Sequence, residues 1–184
     1  MLTDREILRE IESGKIVIDP FKKGNIAPAA YYLTLGRYLL LPDPNQRVNP
    51  QGDDDPTYTQ VDLIDHNYIL RPNEFLLAQT AELITLGNDI GMFLDGRTTL
   101  ARLGLTIHKT ATFIHPGHSK SIITLELKNH GNHEIELVNG MDIGKGIFFK
   151  ANTPSTKAYK DMGIYPSQPK VRGADVPPYS NPDL

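Results

Sequence analysis

Two stretches of this chain carry residue types that can do chemistry on a phosphorylated molecule. The first is Gly96-Arg97-Thr98-Thr99-Leu100-Ala101-Arg102-Leu103-Gly104-Leu105, where glycines bracket two arginines and two hydroxyls. Gly96 has no side chain to hold a ligand away from the backbone. The residues after it read as one or two helical turns ended by Gly104, and the free amides at a helix start attract anions. Arg97 adds a planar fork suited to phosphate oxygens. Thr98 and Arg102, four residues apart, share one face of the turn. The pattern reads as a phosphate cradle with a second polar pair beside it. It also fits surface arginines beside capping threonines, and by itself leaves both readings open.

The second stretch is Ile122-Ile123-Thr124-Leu125-Glu126-Leu127, an apolar strand interrupted by one carboxylate. If Glu126 points inward, loss of water raises its proton affinity into the range useful for a general base. On a sheet with one wet face it points outward instead. Six histidines raise the question of zinc, since His108, His115 and His118 lie close together. Pro116-Gly117 places a turn between the last two, and the cysteines of the zinc nucleobase deaminases are missing from this chain. No zinc site is expected. His66, His130 and His133 fall in loops. Neither a serine-histidine-aspartate order nor a Walker-type phosphate loop is present, so nucleophilic catalysis and Walker-type nucleotide binding have no support.

Short strands must position these groups. Thr3-Asp4-Arg5-Glu6 reads as a capping box ahead of a helix with Ile7, Leu8 and Ile11 on its apolar face, and Gly14 stops it. Strands are expected at Ile16-Val17-Ile18, around Leu33 and Leu35 up to Gly36, and over 38–41, 68–70, 75–78 and 91–94. Further strands are expected over 122–127, 133–137 and 143–149, the first two joined by a hairpin-like Asn129-His130-Gly131-Asn132. So many short strands imply an all-β barrel or sandwich. Residues 43–56, with Asp53-Asp54-Asp55, read as a solvated loop. Residues 166–184 hold five of the 14 prolines and read as an extended tail.

At 184 residues the chain is long enough for one domain with a sizeable core. A net charge of −3 argues against a general nucleic-acid binder. No apolar run is long enough for a membrane span or a signal peptide. The absence of cysteine fits a reducing cytoplasm, the expected compartment.

Four blocks give the chain a resemblance to the dCTP deaminases of the dCTP deaminase/dUTPase superfamily, over about residues 2–168. They are Leu2-Thr3-Asp4-Arg5-Glu6-Ile7 with Gly14-Lys15-Ile16 and Ile26-Ala27-Pro28-Ala29; Leu70 to Ala78 with Thr80 and Glu82; the run from Gly96 to Leu105; and Ile114-His115-Pro116-Gly117 with Ile123 to Leu127. The resemblance implies a distorted β-barrel of the dUTPase-like, β-clip type, with an N-terminal helix and a short extra helix. It implies a homotrimer with active sites between subunits. On this view residues 1–168 form the domain and 169–184 an extended proline-rich tail or flap.

The implied reaction is zinc-free deamination of dCTP to dUTP and ammonia, with magnesium carried on the triphosphate. Glu126 is then the general base for the water that attacks C4 of cytosine. Thr98 holds that water and Arg102 polarises the base. Arg97 and Thr99, with the amides around Leu100 and Ala101, grip the phosphates, and Thr124 and Leu125 line the site through their backbone. Tyr159 and Gln168 belong to the flap. The alternatives are a dUTP or dCTP diphosphohydrolase, a bifunctional dUMP-forming deaminase, and a non-catalytic nucleotide-binding trimer.

The chain departs from the family pattern at several positions. His115 stands where the family has an aspartate that contacts the deoxyribose 3′-hydroxyl and serves diphosphate release, so the resemblance implies no dUTP cleavage by the usual route. Ala30 and Tyr32 replace a serine and an aspartate. Ile164 replaces a flap lysine, and Gln168-Pro169-Lys170 lacks the flap glycine. Loss of that cation costs roughly 1.5–3 kcal/mol of nucleotide binding unless Lys170 or Arg172 substitutes.

Overall fold

The structure is a computed structural model that describes residues 1–50, 55–162, 165 and 167–175. Asp53, Asp54, Ile164, Pro166 and residues 176–184, to which the sequence reading gave roles, lie outside the described residues.

The chain opens with helix α1 (Asp4–Glu12). The Glu6 carboxylate accepts hydrogen bonds from the Thr3 N–H at 2.8 Å and the Thr3 hydroxyl at 3.0 Å, tying off the helix start. Ile7 is fully buried, and Gly14, at φ +75°, turns the chain out of the helix as expected. Strands β1 (Ile16–Asp19), β2 (Ile26–Ala27), β3 (Ala30–Thr34), β4 (Tyr38–Pro42) and β5 (Tyr58–Asp62) follow. Then come β6 (Tyr68–Leu70), β7 (Phe75–Gln79), β8 (Leu83–Leu86) and β9 (Ile90–Gly96). After the short helix α2 (Thr98–Arg102) lie β10 (Leu105–Thr106), β11 (Phe113–Ile114), β12 (Thr124–Asn129), β13 (Ile135–Leu137) and β14 (Asp142–Lys150), and then α3 (Tyr159–Met162).

All of these strands pair antiparallel. One five-stranded sheet has the order β10-β12-β7-β4-β5 and the other β11-β9-β14-β3-β2, with β1-β8 and β13-β6 as separate ribbons. Leu33, Leu39, Leu76, Ile84, Met92, Leu125 and Phe148 fill the core between them. The molecule is mostly β with few helices, as expected, and among the described residues its sheets are not closed into a barrel. Three of the four sheet edges are two-residue strands (β2, β10, β11), too short to carry a ladder around. The sheets meet through side chains and an isolated bridge between Leu35 and Thr80. Buried Glu82 adds a stitch, accepting from the Thr34 N–H at 3.0 Å and hydroxyl at 2.8 Å.

The expected hairpin across Asn129 to Asn132 is also corrected. Strand β12 pairs with β7 and β10, while β13 pairs with β6. Asn129 is buried, and its amide donates to the carbonyls of Leu70 and His133, which turns the chain away from β12. Ile122 and Ile123 stop short of β12, because the Ile122 N–H bonds the Gln168 carbonyl and the Ile123 N–H bonds the Thr80 hydroxyl. The sequence reading also passed over β2, β5, β8, β10 and β11. Three of these have two residues, too few to show alternation, and β5 is a largely exposed edge.

Gly104 closes α2 at φ +89°, and a Cβ there would stand 2.4 Å from the Gly131 nitrogen. Gly104→Ala is expected to destabilise the fold by on the order of 2–4 kcal/mol, from left-handed strain plus the backbone clash. Urea unfolding midpoints of the two proteins check this.

Candidate active site

Strand β12 presents Thr124, Glu126 and Lys128 on one face and buries Leu125, Leu127 and Asn129 on the other, the period-two alternation of a pleated strand. Glu126 sits opposite Leu77 of β7. Its N–H donates to the Ile107 carbonyl at 2.9 Å, and its carboxylate accepts from the Lys109 N–H at 2.6 Å. Glu126 is therefore neither core nor fully wet. It is half-buried, and one oxygen is held by a fixed backbone donor.

Glu126 opens into a pocket of about 470 Å³. Thr124, His115, His118, Tyr159 and Gln168 line the same pocket, with Tyr58, Phe75 and Leu77 as an apolar wall. His115 and His118 arrive on the turn after β11, where Gly117 at φ +75° lets the chain double back. The rings of His115 and Tyr159 lie parallel within 8°, with centroids 5.7 Å apart. Leu125 sends its side chain into the core.

The segment from Ser167 to Asp175 lies across this face. The Gln168 N–H donates to the Ser121 hydroxyl at 2.8 Å, and the Gln168 side-chain oxygen accepts from the Thr124 hydroxyl at 3.2 Å. Val171 is buried against Leu40 and Leu77, with its N–H on the Gln79 side-chain oxygen at 2.9 Å. Arg172 and Tyr165 complete the rim.

The cradle lies elsewhere on the chain. Arg97 caps α2, and Thr98, Thr99, Ala101 and Arg102 are exposed. Neither Arg97 nor any residue of α2, Leu100 included, lines the Glu126 pocket. The Arg97 guanidinium lies 3.9 Å over the Tyr32 ring and 3.2 Å from the Asp142 carboxylate. Thus the structure joins Glu126, Thr124, His115, Tyr159 and Gln168 in one chain's pocket and leaves Arg97 to Arg102 outside it.

Sequence reasoning missed Tyr58, Phe75, Leu77, His118 and the Lys109 amide. Phe75 and Leu77 lie in a continuous apolar run in which Leu76, Leu77 and Ala78 are all buried, so no alternation marks their face. A backbone amide leaves no sequence signal. Among the described residues no three His, Cys, Asp or Glu side chains gather in a way that could hold a metal ion, and no helix is long and apolar enough to cross a membrane.

His118 is buried, and burial holds its ring well below the usual imidazole range, at about 4 against 6.5. The folded protein keeps it neutral while the unfolded chain protonates it near 6.5. Stability is therefore full above that value and falls as pH drops from about 6.5 to about 4, by roughly 3 kcal/mol in all. Denaturant midpoints across this window, with His118→Phe flattening the slope, check the effect.

A family model described as dCTP deaminase-like matches residues 1–151. The chain belongs to this dCTP deaminase-like family. A dCTP deaminase, dUMP-forming, of Clavibacter michiganensis subsp. michiganensis is 38% identical over 174 residues, covering 91% of this chain and 84% of that one. A dCTP deaminase, dUMP-forming, of Streptomyces coelicolor is 39% identical over 166 residues, covering 86% and 84%. Among solved structures, the 2′-deoxycytidine 5′-triphosphate deaminase of Agrobacterium tumefaciens superposes with a TM-score of 0.62 at 16% identity. That match covers 80% of this chain and 46% of the longer one, and speaks for the fold.

Proposed function

We propose that this chain hydrolytically deaminates dCTP at a site completed between the subunits of a homotrimer, and that the product leaves as dUMP and diphosphate. Membership of the dCTP deaminase-like family sets the reaction class. The observation that carries it to particular atoms is the Glu126 carboxylate, half-buried in a nucleotide-sized pocket with one oxygen on the Lys109 amide. The other oxygen is free to take a proton from water as that water adds to C4 of the cytosine ring. Glu126 passes that proton to N3, then takes the proton of the new C4 hydroxyl and delivers it to the amino group, which leaves as ammonia as the C4 carbonyl forms. One water is consumed, and a uracil nucleotide results.

The exposed hydroxyl of Thr98 and the guanidinium of Arg102 are assigned to a neighbouring subunit's pocket. There they hold the attacking water and steady the charge that develops on the base. Arg97 and Thr99 from the same run take the phosphates. Magnesium enters with the triphosphate as part of the substrate. Residues 1–168 act as one domain, with 169–184 as its tail, in the cytoplasm.

Relatives that are dUMP-forming move the expected end product from dUTP to dUMP. That second step adds water to the α-phosphorus and releases diphosphate. A second reading, release at the dUTP stage, is favoured by His115, whose ring is engaged with Tyr159 at a position that offers no carboxylate. Chromatography of the products from magnesium dCTP decides between them. Ammonia with dUMP and diphosphate is expected, ammonia with dUTP supports the second reading, and no ammonia overturns both.

A further inference from the structure

Arg97 is held by residues of two strands other than its own neighbours in sequence. Its guanidinium carbon stands 3.9 Å from the centre of the Tyr32 ring on β3, and its Nη2 stands 3.2 Å from the Asp142 carboxylate at the start of β14. Its Nη1 is shut off from solvent and has no hydrogen-bond partner among the described residues. A guanidinium carries five N–H donors in a planar fork. One ring face and one carboxylate therefore fix the group while most of its donor capacity stays unused.

The ladder places the ring. Tyr32 stands opposite Lys145 of β14, which in turn stands opposite Asp95 of β9, so the three side chains share the outer face of the sheet. Tyr31 and Leu94, their neighbours in sequence, are buried on the inner face. Lys145 pairs with Asp95 at 3.0 Å, which leaves the Tyr32 ring to Arg97. The Tyr32 carbonyl accepts from the Asn25 side-chain amide at 3.1 Å, which steadies the strand beneath the ring. An aromatic face attracts a cation through its quadrupole, yet brings no charge to cancel the cation's own. A carboxylate at position 32 would cancel it. Asp142 is 54% exposed, so water weakens its hold on the guanidinium.

We propose that Tyr32 is a positioning residue, whose ring holds the Arg97 guanidinium in place for the triphosphate and leaves its charge available. The inference rests on the reading of Arg97 as a phosphate-gripping residue. A long, flexible side chain ordered before the ligand arrives loses less freedom on binding, so the ring acts on nucleotide affinity. It touches neither the water nor the base, so it leaves the chemical step alone. The position noted in the sequence as a departure, tyrosine for aspartate, thereby acquires a task.

The test measures dCTP affinity by calorimetry with magnesium, and kcat and KM by ammonia release. Tyr32→Leu, which fills the space without a π face, is expected to weaken dCTP binding about 3–10-fold and to raise KM alike, with kcat within about twofold. Tyr32→Phe keeps the ring and is expected to match the wild-type protein. In an Arg97→Ala background Tyr32→Leu is expected to add nothing, since the group it positions is gone. Tyr32→Met serves if the leucine variant does not fold. A purely structural loss would persist without Arg97 and would lower kcat as well. The proposal is overturned by unchanged affinity in Tyr32→Leu, by a Tyr32→Phe protein as weak as Tyr32→Leu, or by a leucine effect undiminished in the Arg97→Ala background. It is also overturned if Arg97→Ala alone binds dCTP as the wild-type protein does. Affinity coupled between Tyr32 and Arg97 in a protein that releases no ammonia leaves this inference standing and sinks the deaminase reading.

Discussion

Glu126→Gln is expected to lower kcat for dCTP by about 10²–10⁴-fold while leaving dCTP affinity within a few-fold. Glutamine keeps the shape of the side chain and one carbonyl oxygen, so the hydrogen bond from the Lys109 N–H survives. It cannot accept the proton of the attacking water, and that step has no substitute in this pocket. His118 is neutral but shielded, and the ring of His115 is occupied by Tyr159. The hydrogen bond between Thr124 and Gln168 on the same wall is untouched. Ammonia release reads kcat, and calorimetry with dCTP reads affinity. A variant that keeps near-normal turnover removes Glu126 from the proton path. A variant that loses binding along with turnover makes Glu126 a structural or substrate-gripping group.

The contrast between Glu126 and its surroundings shows what can be read along a chain and what cannot. Glu126 was legible because a strand alternates, and a carboxylate in an otherwise apolar alternation stands out. Its second anchor, the Lys109 amide seventeen residues away, is a main-chain group that no side-chain pattern announces. The Asn129 to Asn132 turn looked like a hairpin because local turn chemistry favours one. A buried Asn129 bonded to Leu70 and His133 overrode it, a long-range effect invisible in a window of a few residues.

Arg97 illustrates a further limit. Its residue type suggested phosphate binding, but the Tyr32 ring beneath it and Asp142 beside it come from distant strands. Tyr32, noticed only as a departure from the family pattern, turns out to be the surface on which Arg97 rests. The tail follows the same rule. Burial of Val171 against Leu40 and Leu77, with the bonds of Gln168 to Ser121 and Thr124, holds residues 167–175 across the pocket.

The placement of Arg102 leads to the second large effect, a rescue rather than a loss. Arg102→Ala and Glu126→Gln, each prepared alone, are expected to be almost inactive, since one removes the charge that polarises the base and the other the proton acceptor. Arg102 is exposed on α2, outside the pocket that holds Glu126, so its removal should leave the fold intact. If the two groups meet across a head-to-tail interface, a mixed trimer contains sites that draw Glu126 from an Arg102→Ala chain and Arg102 from a Glu126→Gln chain. Random mixing of equal amounts makes about one quarter of all sites whole, because each site takes one member from each of two neighbouring subunits. Co-expression or joint refolding followed by ammonia assay should therefore restore about a quarter of wild-type turnover. A site built within one chain gives no restoration at any ratio, since no chain then carries both groups. Varying the ratio sharpens the result: activity should peak at equal amounts and fall symmetrically to either side, a profile that contaminating wild-type protein cannot reproduce.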